Sequence, residues 1–155
     1  MQSRVAAGVV SGVIAGVVFG LMMQMMKVPT PDGMEVPMMM MVAKVVRSDS
    51  LVVGWLFHLV VSALMGGGFG LLLGGTLPSL GRAATLGALY GVFWWVVAGQ
   101  ILMPVLLGMP AFSALRDPMM RPAAMGSLVG HLLFGAIIGV GTVLLLRKDV
   151  PQPVS

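Results

Sequence analysis

Residues 51–75 read LVVGWLFHLVVSALMGGGFGLLLGG and contain no Asp, Glu, Lys or Arg. An α-helix needs about 20 apolar residues to cross the hydrocarbon layer of a membrane. The stretch therefore predicts a membrane-spanning helix, with His58 inside the membrane. Because a polar side chain in hydrocarbon is costly, an intramembrane histidine is a candidate functional residue.

Three further apolar stretches are long enough to span a membrane and also lack charged side chains: about residues 5–26, 83–107 and 123–146. The chain has 155 residues, of which 58% are hydrophobic and only 9% are charged. A soluble domain would carry about a quarter charged residues. We therefore predict an all-α integral membrane protein, with residues 1–155 forming a single transmembrane domain and a four-helix bundle.

The chain reads as two similar halves, about residues 1–78 and 79–155, each containing a span, a long loop and a span with a histidine. Matching positions are His58 and His131, Gly66 and Gly139, and the Pro-Met-Met sequences at 37–39 and 118–120. Repeat units of two spans share one orientation, so the pattern predicts a parallel repeat. Both histidines would then lie roughly 12 Å from the side of the long loops.

Glycines recur at every fourth position of the first span: Gly8, Gly12, Gly16 and Gly20. Residues at this spacing share one helix face. In lipid, small residues promote helix association because they allow the backbones to approach closely. We therefore predict close packing of this face, and favour a partner helix within the same chain.

The helices with the histidines present a similar face of small residues. Ser62 and Gly66 follow His58 at steps of four, and Gly135 and Gly139 follow His131 in the same way. In one interpretation this face packs on a neighbouring helix, where the histidine bonds to a carbonyl, a Gln or a Tyr. In the other, the face is a groove that admits a flat ligand beside a coordinating imidazole.

The second interpretation makes His58 and His131 candidate axial ligands of a b-type haem, because imidazoles from two bundle helices can hold haem iron. A copper site is a further hypothesis. The chain has 16 methionines, and thioether sulfur is a soft ligand that suits Cu(I). The candidate copper ligands are Met38, Met39 and the two histidines, although methionine commonly fills gaps in apolar interiors.

The first long loop contains a candidate short helix lying in the membrane interface. Pro37 suits the first position of a helix, and the apolar residues 38–42 are followed by Lys44 and Arg47 on one face. Such a helix, running to about Arg47, would lie along the interface or fold back onto the mouth of the bundle.

Several classes of function are disfavoured by what the sequence lacks. It has no cysteine, and its net charge of +4 includes no basic run, so nucleic acid is not an expected partner. No catalytic triad, phosphate-binding loop or paired carboxylate is present, which favours a protein that is not an enzyme. The spans carry no acidic or basic side chain, unlike those of most ion-coupled transporters.

Two motifs resemble those of uncharacterised small bacterial four-span inner-membrane protein families. They are Gly-Trp-Leu-x-His at 54–58, and Arg121-Pro122 leading into Gly126-Ser127-Leu128-x-x-His131-x-x-Phe134-Gly135. The resemblance covers most of the chain. It implies a four-span fold with a histidine in spans two and four, and it implies no activity.

Three functional hypotheses follow. The first is a non-catalytic small subunit or scaffold of a larger membrane complex, with the lipid bilayer and membrane proteins, or further copies of this chain, as partners. The second is an electron-transfer module that binds haem or copper, and the third is a small transporter or channel. We expect a bacterial inner-membrane location with both termini in the cytoplasm, because Arg147 and Lys148 directly follow the last span.

Overall fold

The structure is a computed structural model that describes residues 2–30 and 33–148. Residue 1, residues 31–32 and residues 149–155, which belong to the predicted domain, lie outside the described residues. The elements are α1 (Gln2–Met25), β1 (Lys27–Pro29), β2 (Glu35–Pro37), α2 (Met38–Val45), α3 (Leu51–Leu73), α4 (Leu80–Trp94), a π-helical stretch (Trp95–Leu102), α5 (Met103–Leu106), α6 (Ser113–Arg116) and α7 (Arg121–Lys148).

Four helical spans are long and apolar enough to cross a membrane: Arg4–Met25, Leu51–Leu73, Leu80–Leu106 and Arg121–Arg147. This confirms the predicted all-α bundle of four long apolar helices, which is consistent with an integral membrane protein. The third span begins at Leu80, three residues before the predicted boundary. Ser79 explains the earlier start, because its side chain accepts a hydrogen bond from the Arg82 backbone N–H (3.3 Å) and so caps the helix.

The bundle consists of two antiparallel helix pairs, α1 with α3 and α4 with α7. Helix α1 also packs along α7, so it occupies a central position. The Tyr90 hydroxyl of α4 donates a hydrogen bond to the Met65 carbonyl of α3 (2.8 Å), which links the two outer helices. Because α1 runs antiparallel to both α3 and α7, these two helices, which carry the histidines, run in the same direction.

The glycine face of α1 packs directly on the backbone of α3. A Cβ atom at Gly8 would overlap with the carbonyl oxygen of Gly66, and one at Gly12 would overlap with that of Ser62. At Gly20 the space is filled by the indole of Trp55. The predicted close packing of the first span therefore occurs within the chain.

The second pair is packed in a closely similar way. A Cβ atom at Gly87 would overlap with the Gly135 carbonyl, and one at Gly91 would overlap with the His131 carbonyl. Gly87 also approaches Gly139, as Gly12 approaches Gly66 in the first pair. These matching contacts support the internal repeat, which stays a proposal.

The first long loop contains a β-hairpin that the sequence analysis did not predict. Strands β1 and β2 pair antiparallel, with Lys27 opposite Pro37. Each strand has only three residues, too few for an alternating pattern to be recognised. The hairpin places α2 directly after it, at the mouth of the bundle.

Helix α2 ends at Val45, before the predicted end near Arg47. Arg47 adopts a left-handed conformation with φ of 58°, which is a common way for a helix to terminate. The helix buries Met39 and Ala43 and packs against α3. In its last turn, the Lys44 ammonium pairs with Asp49, just beyond the helix, and holds the pKa of that carboxyl below its ordinary value.

We expect Gly12→Ala to destabilise the bundle by about 1–3 kcal/mol, because the new methyl group must push α1 away from the Ser62 carbonyl. The matched control is Gly81→Ala, since nothing lies within 4 Å of a Cβ atom at this helical position. Unfolding of both variants in mixed detergent micelles, followed by circular dichroism, provides the comparison. Equal stability of Gly12→Ala and the wild type would contradict the packing described for α1.

Candidate functional site

The structure brings the two histidines together around a single aromatic ring. Phe19 of α1 contacts both of them, with its ring centroid 5.7 Å from that of His58 and 4.6 Å from that of His131. Both contacts are edge-to-face, and both histidines are 9% exposed. The candidate site is thus a buried cluster of three rings from α1, α3 and α7.

His58 connects two helices through a hydrogen bond. Its Nε2 atom lies 2.9 Å from the carbonyl oxygen of Gly16 on α1. Since a carbonyl can only accept, Nε2 carries the proton in this pair. Gly16 makes the approach possible because it has no side chain between the helices; a Cβ atom there would lie 2.6 Å from the Ser62 hydroxyl. His58 therefore bonds to a carbonyl on a neighbouring helix, as in the first of the two interpretations of the sequence.

His131 is bonded differently, within its own helix. Its Nδ1 atom lies 2.8 Å from the carbonyl oxygen of Ser127, one turn earlier. Nδ1 is accordingly the protonated nitrogen, which leaves the lone pair of the neutral ring on Nε2. The two histidines occupy matching sequence positions but have different partners.

Phe19 reaches His131 because α7 carries a glycine at the right place. A Cβ atom at Gly130 would overlap with the Phe19 ring. On the other side, the backbone of the π-helical stretch approaches His131 at Gly99, whose Cβ would lie 3.8 Å from Cε1 of the imidazole. The imidazole is therefore enclosed from two sides by neighbouring helices.

This packing does not fit a haem with two axial histidines. Such a haem requires the iron and its flat ring system to lie between the two imidazoles, and the Phe19 ring contacts both of them. The Nε2 atom of His58 is also engaged with Gly16. The haem hypothesis stays a prediction, and a haem bound through Nε2 of both histidines would require His58 to release the Gly16 carbonyl.

The residues predicted to form a groove beside such a ligand are covered by neighbouring helices. In α3, Ser62 and Gly66 lie against the α1 backbone, and in α7, Gly135 and Gly139 lie against the α4 backbone. Small residues at these positions permit close helix contact rather than leaving space. These four residues contact a neighbouring helix in this structure, and the groove interpretation stays a prediction.

The copper hypothesis gains no support from the structure. Met39 is fully buried in an apolar cluster with Met23 and Phe69, and Met38 packs against this cluster. This is the gap-filling role common for methionine. Within residues 2–30 and 33–148, no group of three or more His, Cys, Asp or Glu side chains could hold a metal ion.

The sequence analysis did not identify the π-helical stretch of the third span, which is a rare element that often occurs at functional sites. Pro104, one turn beyond Gln100, has no N–H to donate to the Gln100 carbonyl. That carbonyl instead accepts a hydrogen bond from the Phe112 N–H (2.7 Å), which draws the following loop back onto the span. Pro104 inside an apolar span was the available signal.

Gln100 is the main buried polar side chain of this stretch. It is 2% exposed, and its Oε1 atom has no hydrogen-bond partner among the described residues. Other buried polar atoms without a partner in the described part of the chain are Trp94 Nε1, Ser113 Oγ and Thr142 Oγ1. Such atoms are uncommon in folded proteins, and three of these four lie in or near the third span.

Comparison of the chain with protein-family models, with curated proteins and with solved structures finds no match in any of the three. The motif resemblance to four-span membrane families therefore has no matching family model. The geometry of the described residues is the basis on which a function can be inferred.

We expect the two histidines to contribute unequally to stability. In membranes and detergent the separated helices keep their internal hydrogen bonds, so only bonds between helices favour assembly. His58→Leu should therefore destabilise the bundle by about 1 kcal/mol, since it removes the bond to Gly16. His131→Leu removes a bond within α7 and should cost less. The same micelle unfolding measurement applies, and an equal or reversed order would refute the distinction.

We also expect the purified protein to lack haem absorption. The reason is that the Phe19 ring contacts both imidazoles that would hold the haem. The spectrum would be recorded on protein extracted in mild detergent, first air-oxidised and then reduced with dithionite. A sharp Soret band that disappears in His58→Ala and His131→Ala would restore the haem hypothesis. The matched control is Ser11→Ala, at another buried polar position of the bundle.

Proposed function

We propose that this chain is a non-catalytic integral membrane protein that serves as a small subunit or scaffold of a larger membrane complex. The observation that carries the proposal is that His58 and His131 both make their contacts inside the bundle. His58 bonds to the Gly16 carbonyl, and the Phe19 ring contacts both imidazoles. Such groups stabilise an assembly and are not presented to a substrate.

The third span is the surface we propose for the partner. Only 17% of its most apolar 18-residue window is buried within the chain, compared with 44% for the first span. Large side chains exposed along it include Leu89, Phe93, Leu102 and Val105. Since this span packs mainly on α7, most of its surface is left to lipid or to another protein.

An aromatic side chain at the centre of this surface favours a protein partner. Phe93 is 54% exposed and packs edge-to-face on Trp94, with ring centroids 5.3 Å apart. Exposed aromatic residues commonly anchor protein interfaces because they offer a large contact area with few rotatable bonds. The partner would be a larger membrane protein or a second copy of this chain.

The alternative functions receive less support. Electron transfer through a haem bound by both histidines would require His58 to release the Gly16 carbonyl. Transport driven by ions or protons commonly uses acidic or basic side chains inside the membrane, and the four spans carry such side chains only within three residues of their ends, at Arg4, Arg82, Arg121 and Arg147. The proposal therefore remains with a structural subunit.

We further propose that the protein lies in a bacterial inner membrane with both termini in the cytoplasm. Arg4, Arg82 and Arg147 lie together at the end of the bundle where the chain begins and where α7 ends. Arginine and lysine close to the ends of spans favour the cytoplasmic side. The opposite end carries Lys27, Arg47, Arg116 and Arg121 as well as Lys44, which is paired with Asp49, so the proposal rests on the arginines at the ends of three spans and not on a count of charges.

We expect the double substitution Leu89→Ala and Phe93→Ala to release the chain from its complex, because it removes the large exposed side chains at the centre of the third span. The matched control is Leu56→Ala with Leu64→Ala on α3, at positions that are 60% and 70% exposed. The protein would be extracted from its native membrane in mild detergent, and the mass of the particle would be measured by native electrophoresis and light scattering.

The expected result is a large particle for the wild type and the control, and a small one for the third-span variant. A wild-type particle containing a single chain of 16.2 kDa would refute the subunit proposal. A particle containing only copies of this chain would identify the partner as a second copy. Release by the α3 control alone would refute the assignment to the third span.

A further inference from the structure

Three arginines converge at the end of the bundle that carries the N-terminus. Arg4 of α1 and Arg82 of α4 line a cavity of about 590 Å³ that is also bounded by residues 74–78 and Leu146. An Nη atom of Arg147, from α7, lies 3.5 Å from the Pro78 carbonyl of the same loop. Cations from three different helices therefore surround one short loop.

The position of Arg4 is determined by glycines of the α3 end and the loop. Its backbone carbonyl lies where a Cβ atom of Gly70 would be, and its guanidinium lies over Gly75, 2.5 Å from the position of a Cβ atom there. Any side chain at Gly75 would push the guanidinium aside. The absence of a side chain at Gly75 thus leaves room for the Arg4 guanidinium at the edge of the cavity.

No described carboxylate compensates this charge. The ion pair found within residues 2–30 and 33–148, Lys44 with Asp49, lies at the opposite end of the bundle. Glu35 and Asp117 belong to the loops at that same end, and Asp149 lies outside the described residues. Guanidinium groups gathered without a carboxylate favour an anion with several oxygens, which they can bind in a bidentate manner.

The cavity lies at the ends of apolar helices, where lipid headgroups would surround a membrane-spanning bundle. It opens where α3 and α7 end, directly after their apolar segments. Next to it along these helices, Leu71, Leu72 and Leu144 are 51%, 71% and 45% exposed. Basic residues at the ends of membrane helices commonly bind the headgroups of anionic lipids.

We propose that this cavity binds the phosphate group of an anionic phospholipid headgroup. The guanidiniums of Arg4 and Arg82 bind the phosphate oxygens, and the acyl chains lie along the exposed leucines of α3 and α7. The chemistry recognised is a phosphate oxyanion, and the neighbouring apolar surface favours a lipid over a soluble phosphate as its source. This site is independent of the partner surface on the third span.

The test measures lipid retention by the full-length protein in mild detergent, using native mass spectrometry. Phosphatidylglycerol would be compared with phosphatidylcholine, which has the same phosphate but no net charge. We expect phosphatidylglycerol to be retained preferentially, and the double variant Arg4→Gln with Arg82→Gln to weaken its retention by about fivefold for each arginine removed. The matched control, Lys27→Gln with Arg116→Gln, removes two charges from the other end and should change retention less than about twofold.

A second variant separates the position of Arg4 from its charge. Gly75→Val keeps all three arginines but displaces the Arg4 guanidinium, and we expect it to reduce phosphatidylglycerol retention as well. Circular dichroism of each lipid-free sample would show whether the variant is folded. If the double variant is unfolded, Gly75→Val alone tests the proposal. Retention of phosphatidylglycerol at the wild-type level in every folded cavity variant would overturn the proposal.

Two further outcomes would also overturn it. Equal retention of phosphatidylglycerol and phosphatidylcholine by the wild type would show that the cavity does not select an anionic headgroup. Displacement of phosphatidylglycerol by millimolar inorganic phosphate would identify a soluble phosphate as the occupant and exclude the lipid. Persistence of phosphatidylglycerol in the presence of inorganic phosphate would support the lipid as the source.

Discussion

Backbone contact between helices at glycine positions is the constraint on which the rest of this structure depends. In lipid, apolar side chains gain little by leaving one apolar environment for another, so association relies on close packing and hydrogen bonds between helices. Gly8 and Gly12 bring α1 onto α3, and Gly87 and Gly91 bring α4 onto α7. The same approach places the Gly16 carbonyl within reach of His58, so the buried imidazole finds its partner only because the helices touch.

A cofactor hypothesis needs free space beside the histidines, whereas the faces of small residues admit the backbone of a neighbouring helix. A row of glycines beside a histidine is equally compatible with a groove for a ligand and with a packing surface for another helix. What decides between them is the rotation of the neighbouring helices, a tertiary property. Here Phe19 enters the remaining space because Gly130 leaves room for its ring, and the histidines become part of the packing.

The sequence predicted those features that depend on local composition. Hydropathy and the lack of charges predicted the four spans, and the matching positions of His58 and His131 predicted that they would lie at similar depths. The sequence did not predict the hairpin of residues 27–37, whose strands are too short to show a period, or the contact of Phe19 with both imidazoles, which depends on three helices at once. The copper hypothesis depended on Met39, whose burial in the apolar cluster is likewise a tertiary feature.

The π-helical stretch lies at a point where the sequence spacing of the two predicted halves differs. Gly87 and Gly91 lie 75 residues after Gly12 and Gly16, whereas Gln100 lies 76 residues after Gln24, so the second half contains one extra residue between them. In an α-helix one inserted residue would rotate everything after it by about 100°, whereas a π-helical turn accommodates it locally. Gln100 is accordingly buried. Gln24 accepts a hydrogen bond from the Trp55 indole (3.2 Å), whereas Oε1 of Gln100 has no partner among the described residues. The π-helical stretch lies in the least buried span, where the packing of the chain itself constrains the sequence least.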